Sequence, residues 1–158
     1  MTDLTQLLKV LLQSELPFVL IGGYAGISYG TSHVTQDIDI CMQLTPATID
    51  QLRHILEQYR PVIRTPQRLS FATNPGDTSQ VKNLYLSTTL GPLDILSEVI
   101  GVGDFDTVRK NAKKILLFGF QCFVISLDDL IKTKKTLNRP KDQLVLHELE
   151  HIRAERST

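Results

Sequence analysis

The sequence predicts one mixed α/β (α+β) domain over residues 1–158, with a mixed sheet flanked by helices and a helical C-terminal tail. Short apolar runs of strand length alternate with longer segments whose apolar residues recur at helical spacing. Glycine and proline fall between these runs, where turns are expected. With 158 residues, of which 42% are apolar, the chain can bury about 70% of its unfolded surface and needs no disulfide or structural metal.

In the first half of the chain, apolar periodicity, one fully apolar run and a glycine pair predict the elements. Leucines at helical spacing after Asp3 predict the first helix, and alternation of acidic and apolar residues from Asp37 predicts a strand with one polar face. Thr45 as N-cap and Pro46 at the first helical position predict where a longer helix begins. The elements are, in order, a helix of about 12 residues from Leu4, a strand at 18–21, a short helix between Gly22-Gly23 and Gly30, a strand at 37–42, and a helix from Pro46 that ends before Pro61.

The second half predicts several strands joined by turns, followed by two helices. Residues 74–77 and Gly91-Pro92 have turn sequences, and Gly119 between two apolar runs indicates a hairpin. Ser126, followed by acidic residues, predicts an N-cap. The elements are strands at 68–73, 83–88 and 93–96, a helix near 105–111, a hairpin of 115–118 with 122–125, a helix from Ser126 to about Leu137, and a helix from Lys141 to about Arg153.

Charge and cysteine content narrow the functional classes. The 17 basic and 17 acidic residues give a formal net charge of +0, which argues against a protein wrapped in nucleic acid. Cys41 and Cys122 lie in separate apolar runs, typical of buried thiols in a reducing compartment, and we expect a cytoplasmic protein. Met1-Thr2-Asp3 has no positively charged n-region, so we expect no signal peptide. No run approaches the roughly 18 apolar residues of a membrane span, so no membrane partner is expected.

Three aspartates fall on predicted strands among apolar neighbours. Asp37 and Asp39 are two residues apart, so both carboxylates should point to one face of their strand, roughly 6–7 Å apart. Asp94 lies on a strand that intervening segments could return beside this pair. Acidic oxygen ligands suit Mg²⁺ or Mn²⁺, which complete their coordination with water and substrate phosphate. The pattern predicts a metal site of three carboxylates, and a solvated strand face is the alternative.

The segment upstream of these aspartates predicts an anion site. A strand runs into Gly22-Gly23 and then into the N-terminus of a short helix, where backbone N–H groups and the helix dipole favour a phosphate. The glycine spacing matches neither the dinucleotide fingerprint nor the P-loop. A tight strand-to-helix turn with close packing is the alternative.

Four short motifs extend this pattern along the chain. They are Gly22-Gly23-Tyr24-Ala25, His33-Val34-Thr35-Gln36-Asp37-Ile38-Asp39-Ile40, Leu93-Asp94-Ile95-Leu96 and Asn138-Arg139-Pro140-Lys141-Asp142. Together they resemble the minimal nucleotidyltransferase superfamily of the polymerase-beta type, and most closely its branch of abortive-infection nucleotidyltransferase toxins. The resemblance covers roughly residues 15–150. It implies a mixed sheet flanked by helices, a glycine turn that holds a nucleoside triphosphate, and three acidic residues that bind two magnesium ions.

The resemblance also implies roles for individual residues. Gly22 and Gly23 would cradle phosphate. Asp37 and Asp39 would bind both ions. Asp94 would bind the catalytic ion and help to deprotonate the acceptor hydroxyl.

The predicted nucleotide contacts continue beyond the glycine turn. Thr35, in the motif before the aspartates, is predicted to bind nucleotide. His33 stands where this branch often has arginine. A basic cluster near the helix break could compensate for the weaker cation, and its residues are Lys132, Lys134, Lys135, Arg139 and Lys141. Of these, Lys135 and Lys141 stand nearest the motif and are the predicted nucleotide-binding cations, with a solvated helix face as the alternative.

The implied activity is transfer of a nucleoside monophosphate from an NTP such as ATP to a hydroxyl group, with Mg²⁺ (or Mn²⁺) as cofactor. The acceptor could be RNA, for example a tRNA end, a protein side chain or a small molecule. A toxin component would have an antitoxin partner, and a homodimer is a further possibility. The alternative is a nucleotide-binding or partner-binding module that kept the fold but lost turnover.

A competing motif lies near the C-terminus. His147-Glu148-Leu149-Glu150-His151 matches the zinc-peptidase signature, in which two histidines one turn apart bind zinc. A catalytic zinc needs a third protein ligand, and Glu155 is the sole downstream candidate. A zinc peptidase is therefore the remote alternative, and the chemistry is expected at the aspartates instead.

Overall fold

The computed structural model describes residues 2–73 and 78–156. Its helices are Leu4–Gln13 (α1), Gly22–Tyr29 (α2), Pro46–Leu56 (α3), Phe105–Asn111 (α4), Leu127–Leu137 (α5) and Pro140–Arg156 (α6). Its strands are Val19–Ile21 (β1), Ile38–Cys41 (β2), Val62–Ile63 (β3), Asn83–Thr88 (β4), Gly91–Leu96 (β5), Glu98–Val99 (β6), Gly103–Asp104 (β7), Lys113–Leu117 (β8) and Phe120–Val124 (β9). The predicted mixed α/β class, including the C-terminal helix, is confirmed.

Seven strands form one mixed sheet in the order β3-β4-β5-β2-β1-β9-β8. Near its centre, β2 pairs antiparallel with β1 and parallel with β5. β6 and β7 form a separate two-stranded ribbon. The strands that carry the glycine turn and the predicted metal ligands are therefore direct neighbours.

Buried and partly buried side chains alternate along β2 and β5, and this alternation separates the core from the site. Ile38 and Ile40 on β2 and Ile95 on β5 are fully buried. Between them, Asp39 and Asp94 are only partly buried. Because successive side chains point to opposite faces of a sheet, one face builds the core and the other presents the carboxylates.

The C-terminal helices pack beside the glycine turn. α5 packs against α6, and both contact α2. The Ser126 hydroxyl caps α5 by accepting a hydrogen bond from the Asp129 N–H at 3.1 Å. Asn138, with a left-handed φ of 49°, ends α5, and Pro140 begins α6. This break lets α6 turn back against α5 and α2.

The predicted strand at 68–73 is wrong. Within this segment, Ser70 forms only an isolated bridge to Val62, and Arg68 has a left-handed φ of 47° that interrupts an extended run. The strand lies upstream as β3, where the Ile63 N–H donates to the Leu69 carbonyl at 2.9 Å. β6 and β7 were not predicted because two-residue strands carry no periodic pattern. The predicted turn at 74–77 lies outside the described residues.

The cysteines are buried, as predicted. Cys41 and Cys122 are free thiols, and burial raises their pKa to about 12 and about 11. Across the described ranges, none of the helices is both long enough and apolar enough to cross a membrane.

Candidate active site

Strand register brings three aspartates together. Asp39 on β2 is paired directly with Asp94 on β5, and Asp37 lies just before β2. One carboxylate oxygen from each residue lies within 4.8 Å of the others. Within residues 2–73 and 78–156, this is the one cluster of at least three His, Cys, Asp or Glu side chains close enough to share an ion. The structure thus places the predicted metal ligands side by side.

The electrostatics of this cluster fit a cation. The pKa of Asp39 is raised to about 6, first by burial and then by the Asp37 carboxylate. Lys134, the Gly23 N–H and Arg64 lower it in part. A hard divalent cation between these oxygens would relieve their repulsion, and carboxylate oxygens are the ligands that Mg²⁺ and Mn²⁺ prefer.

Gly22 and Gly23 allow α2 to begin against the aspartates. Gly22 has a left-handed φ of 69°, and a Cβ at this position would overlap the Asp39 carboxylate. A Cβ on Gly23 would lie 2.6 Å from Oγ1 of Thr35. The Gly23 N–H lies beside the Asp39 carboxylate and lowers its pKa. The turn is therefore closely packed, which was the alternative to an anion site, and the N-terminus of α2 still opens beside the aspartates.

A cavity of about 930 Å³, here named the loop cavity, opens between the aspartates, the loop 33–36 and α6. Gly22, Gly23, Thr35 and Lys141, four of the predicted nucleotide-binding residues, line it. Its volume suits a nucleotide-sized ligand. Nδ1 of His33, which also lines this cavity, is buried and lacks a hydrogen-bond partner in the described part of the chain.

A second cavity of about 500 Å³, here named the ribbon cavity, opens between β5, β6 and α5. It shares a small set of residues with the loop cavity. These are Gly22, Asp39, Asp94, Lys134 and Arg139. The aspartates therefore lie between two cavities, each of which reaches Asp39 and Asp94.

Asp142 holds two cations at the boundary of the cavities. It is 0% exposed, and its carboxylate accepts from Lys134 Nζ at 3.2 Å and from Arg139 Nε at 2.5 Å. Burial raises the pKa of Asp142, but the hydrogen bonds from Arg139 and Lys134 outweigh burial and lower the pKa to about 2. The ionised carboxylate thus fixes Lys134 and Arg139 beside the aspartates.

The structure does not bring Lys135, a predicted nucleotide-binding residue, to either cavity. Its Nζ lies 3.4 Å from Glu150, and the residue lines a groove between α5 and α6 rather than either cavity. Successive helix positions point about 100° apart, so Lys134 faces the aspartates and Lys135 does not. The basic cluster predicted from the sequence contains both lysines, and the one that reaches the site is Lys134.

Arg64, from the segment after β3, contacts the aspartates and was not predicted as a site residue. It follows β3 directly, forms an ion pair with Asp94, and has its guanidinium 5.7 Å from the centre of the Tyr85 ring. No local sequence signal identified it, because the prediction placed a strand downstream and overlooked β3. While this pair holds, the paired Asp94 oxygen is not free to bind a cation.

Comparison with known proteins identifies the fold. No family model matches the chain, and no curated protein matches it in sequence. The structure of the lincosamide antibiotic adenylyltransferase LnuA with bound lincomycin matches with a TM-score of 0.62 and 15% identity, over 93% of this chain and 94% of that one. The chain has a nucleotidyltransferase fold.

Two further structures have this nucleotidyltransferase fold. ANT(2″)-Ia in complex with adenylyl-2″-tobramycin matches with a TM-score of 0.58 and 13% identity, over 97% of both chains. A Thermotoga maritima protein provisionally named a nucleotidyltransferase matches with a TM-score of 0.57 and 14% identity, over 92% of this chain and 91% of that one. At these identities, the likeness establishes the fold.

Within the nucleotidyltransferase fold, the His147–His151 segment forms part of α6. Neither histidine belongs to the metal-ligand cluster found among the described residues. Glu148 accepts hydrogen bonds from the N–H and the hydroxyl of Ser32, both at 3.0 Å. His151 Nε2 lies 3.1 Å from Glu155. The contacts of Glu148 tie the loop that precedes the aspartates to α6, which is a structural role.

Proposed function

We propose that the protein is a nucleotidyltransferase that moves a nucleoside monophosphate from an NTP to a hydroxyl group. The observation that carries the proposal is the meeting of three carboxylates between two cavities. Asp39 and Asp94 line both cavities, so a nucleotide in one and an acceptor in the other would meet at the same oxygens. The nucleotidyltransferase fold supports this proposal.

Divalent cations would be held by Asp37, Asp39 and Asp94, and the resemblance of the motifs implies two of them. Bound Mg²⁺ or Mn²⁺ supplies charge neutralisation at the phosphates and lowers the pKa of the acceptor hydroxyl. The oxygen-only donor set and the mutual repulsion around Asp39 support this assignment.

The triphosphate would lie in the loop cavity. Lys134, Arg139 and Lys141 line that cavity and would neutralise phosphate oxygens. The N-terminus of α2 faces the same space and adds a positive dipole end. His33, whose buried Nδ1 lacks a partner among the described residues, would contact the nucleotide beside them.

In the transfer step, the acceptor hydroxyl oxygen forms a bond to the α-phosphorus. The bond between the α-phosphorus and the oxygen that bridges to the β-phosphate breaks, and pyrophosphate leaves with that electron pair. The hydroxyl proton passes to the Asp94 carboxylate and then to solvent. Asp94 is the candidate base because it lines both cavities.

The fold neighbours and the charge balance of the chain bear on the class of acceptor. LnuA was solved with lincomycin and ANT(2″)-Ia with adenylyl-tobramycin, both small molecules. A formal net charge of +0 offers little support for an RNA acceptor. We therefore favour a small-molecule acceptor, and a toxin role with an antitoxin partner becomes the candidate if RNA or protein is labelled instead.

The second candidate function is nucleotide binding without turnover. The ion pair between Arg64 and Asp94 favours it, because this pair occupies a predicted metal ligand. Both candidates require Mg²⁺-dependent NTP binding, and they differ in whether the bound nucleotide is then transferred.

Calorimetry with each NTP, with and without Mg²⁺, together with a pyrophosphate-release assay, tests the proposal. We expect Mg²⁺-dependent binding, and we expect Asp39→Asn to lower turnover by about 10³-fold or more because a metal ligand is lost. The control is Asp50→Asn, an exposed carboxylate on α3. NTP binding without turnover on any acceptor would favour the binding module, and no NTP binding would reject both candidates.

A further inference from the structure

We infer that the ribbon cavity binds a small hydroxylated acceptor that carries a positive charge and an apolar face. This inference rests on the proposed function, because it assigns the acceptor side of the same site. Three features of the cavity support it: an aliphatic wall, an exposed carboxylate with no ion pair among the described residues, and two cations that pair with a buried carboxylate and also line the loop cavity.

One wall of the ribbon cavity is aliphatic. Ile21 from β1, Val99 from β6 and Leu130 from α5 line it and are buried, with 5%, 4% and 1% of their surface exposed. Ile100 adds a side chain that is 54% exposed. A cavity of about 500 Å³ with such a wall holds a small organic molecule and removes apolar surface from water.

The charges at the ribbon cavity favour a cation. Glu98 is exposed, lines the cavity, and has no ion pair within the described ranges of the chain. The two cations that line this cavity, Lys134 and Arg139, share the single carboxylate of Asp142, which leaves one positive charge between them. Both also line the loop cavity, where the proposed triphosphate would balance that charge. With metal ions at the aspartates and a triphosphate at these cations, Glu98 would be the carboxylate of this cavity that still lacks a counterion.

This arrangement matches the two ends of an amino alcohol. A hydroxyl near Asp94 would be placed for transfer, while an ammonium group beside Glu98 would gain a charge-assisted hydrogen bond. The carbon framework between them would lie against Ile100 and its neighbours. A polyanion such as RNA would instead bring phosphates against Glu98, with no unpaired cation on this wall among the described residues.

Two probes of equal shape and opposite charge test the inference. trans-4-Aminocyclohexanol is a cation at neutral pH, and trans-4-hydroxycyclohexanecarboxylate is an anion. Backbone amide shifts in NMR titrations report where each probe binds, and we expect the amine to shift Val99, Ile100 and Leu130. Its Kd should be about fivefold lower than that of the acid. Equal or tighter binding of the acid, shifts confined to another surface, or no binding up to the solubility limit would overturn the inference.

Two variants separate the charge from the apolar wall. Glu98→Gln should bring the two Kd values to within about twofold of each other, because the rim charge is lost, whereas Glu57→Gln should keep the difference. Ile100→Ser should weaken both probes by a similar factor, and Leu116→Ser should change neither. Glu57 and Leu116 are exposed and line neither cavity. A charge preference that survives Glu98→Gln would contradict the assignment.

The titrations are made first without nucleotide and then with Mg²⁺ and an ATP analogue whose α–β bridge is a methylene group. If the proposed function fails, the analogue does not bind, yet the amine probe still tests the ribbon cavity. If only the inference fails, the analogue binds and the amine preference is absent. The two failures are therefore distinguishable.

Discussion

The site has an acidic wall, formed by Asp37, Asp39 and Asp94, and a basic wall, formed by Lys134 and Arg139. The two walls are built by different means. The acidic wall depends on backbone register, because Asp39 and Asp94 are opposite each other on paired strands. The basic wall depends on side chains, because the buried carboxylate of Asp142 holds Lys134 and Arg139. A register is maintained by many ladder hydrogen bonds, whereas this cation cluster has a single centre.

This difference implies different sensitivities to substitution. Replacing an aspartate in the acidic wall removes a ligand but leaves the strands paired. Replacing Asp142 leaves two cations without their shared partner and disturbs the junction of α5 and α6. Substitutions in the acidic wall should therefore remove function without loss of stability. Substitution of Asp142 should reduce both.

The largest effect on stability is expected from Asp142→Asn. The neutral amide cannot balance Lys134 and Arg139, and removing one partner of a buried ion pair costs about 3–5 kcal/mol in unfolding free energy. Urea denaturation measures this loss. Asp128→Asn is the matched control, since this exposed carboxylate pairs with Arg153 at 3.2 Å and its loss should cost about 0–1 kcal/mol. Similar losses of unfolding free energy in both variants would contradict the role of Asp142 as the buried centre of the cation cluster.

A smaller effect, on NTP affinity, is expected from Lys134→Met. Lys134 lines both cavities, so loss of its charge should weaken NTP binding by about tenfold, equivalent to one charge-assisted hydrogen bond. Lys135→Met is the adjacent control and should change affinity by less than about twofold, because Lys135 pairs with Glu150 in another groove. Calorimetry with Mg²⁺ and each NTP measures both values, and a larger loss in Lys135→Met would make Lys135 the phosphate-binding cation instead.

The acidic wall could be predicted from the sequence more fully than the basic one, for a physical reason. A strand has a period of two, so the spacing of Asp37 and Asp39 defines their common face, and the apolar neighbours of Asp94 indicate a central strand. The basic cluster lies where one helix ends and another begins. Which of Lys134 and Lys135 faces the site depends on the helix rotation that packing selects, and this is not encoded in local spacing.

Arg64 shows a second limit of prediction. Its position depends on β3, a strand of two residues that is held by pairing with β4 and by contacts with residues 69–71. Short edge strands have no periodic signal of their own, because tertiary pairing rather than propensity stabilises them. No pattern in the sequence therefore indicated that an arginine would reach Asp94.

The two walls should also respond oppositely to pH in the metal-free protein. The pKa of Asp39 is raised to about 6, so its contribution to stability is complete below its unfolded value and is lost as pH rises through 6. The pKa of Asp142 is lowered to about 2, so its contribution is complete above its unfolded value, near 4, and is lost as pH falls toward 2. Thermal melts in EDTA should show both changes.

The Asp39→Asn variant isolates the acidic wall in these melts. The wild type should gain a few degrees in Tm relative to this variant as pH falls from about 7 to about 4, since only the wild type takes up a proton at Asp39. Both proteins should lose stability together below about pH 4, because the unfolded chain then takes up a proton at Asp142 that the folded protein binds only near pH 2. A wild-type advantage that grows with rising pH would contradict the raised pKa of Asp39.

The smallest effect is expected at the acidic wall itself, where Arg64 forms an ion pair with Asp94. Arg64→Gln frees the Asp94 oxygen, so the affinity for Mg²⁺ without nucleotide should rise by about twofold to fivefold, the value of a partly exposed ion pair. Titration of Mg²⁺ by calorimetry measures the change. Arg53→Gln, which removes an ion pair with Asp50 on α3, should leave Mg²⁺ affinity unchanged. A fall in Mg²⁺ affinity in Arg64→Gln would mean that the guanidinium positions Asp94 for the cation rather than competing with it.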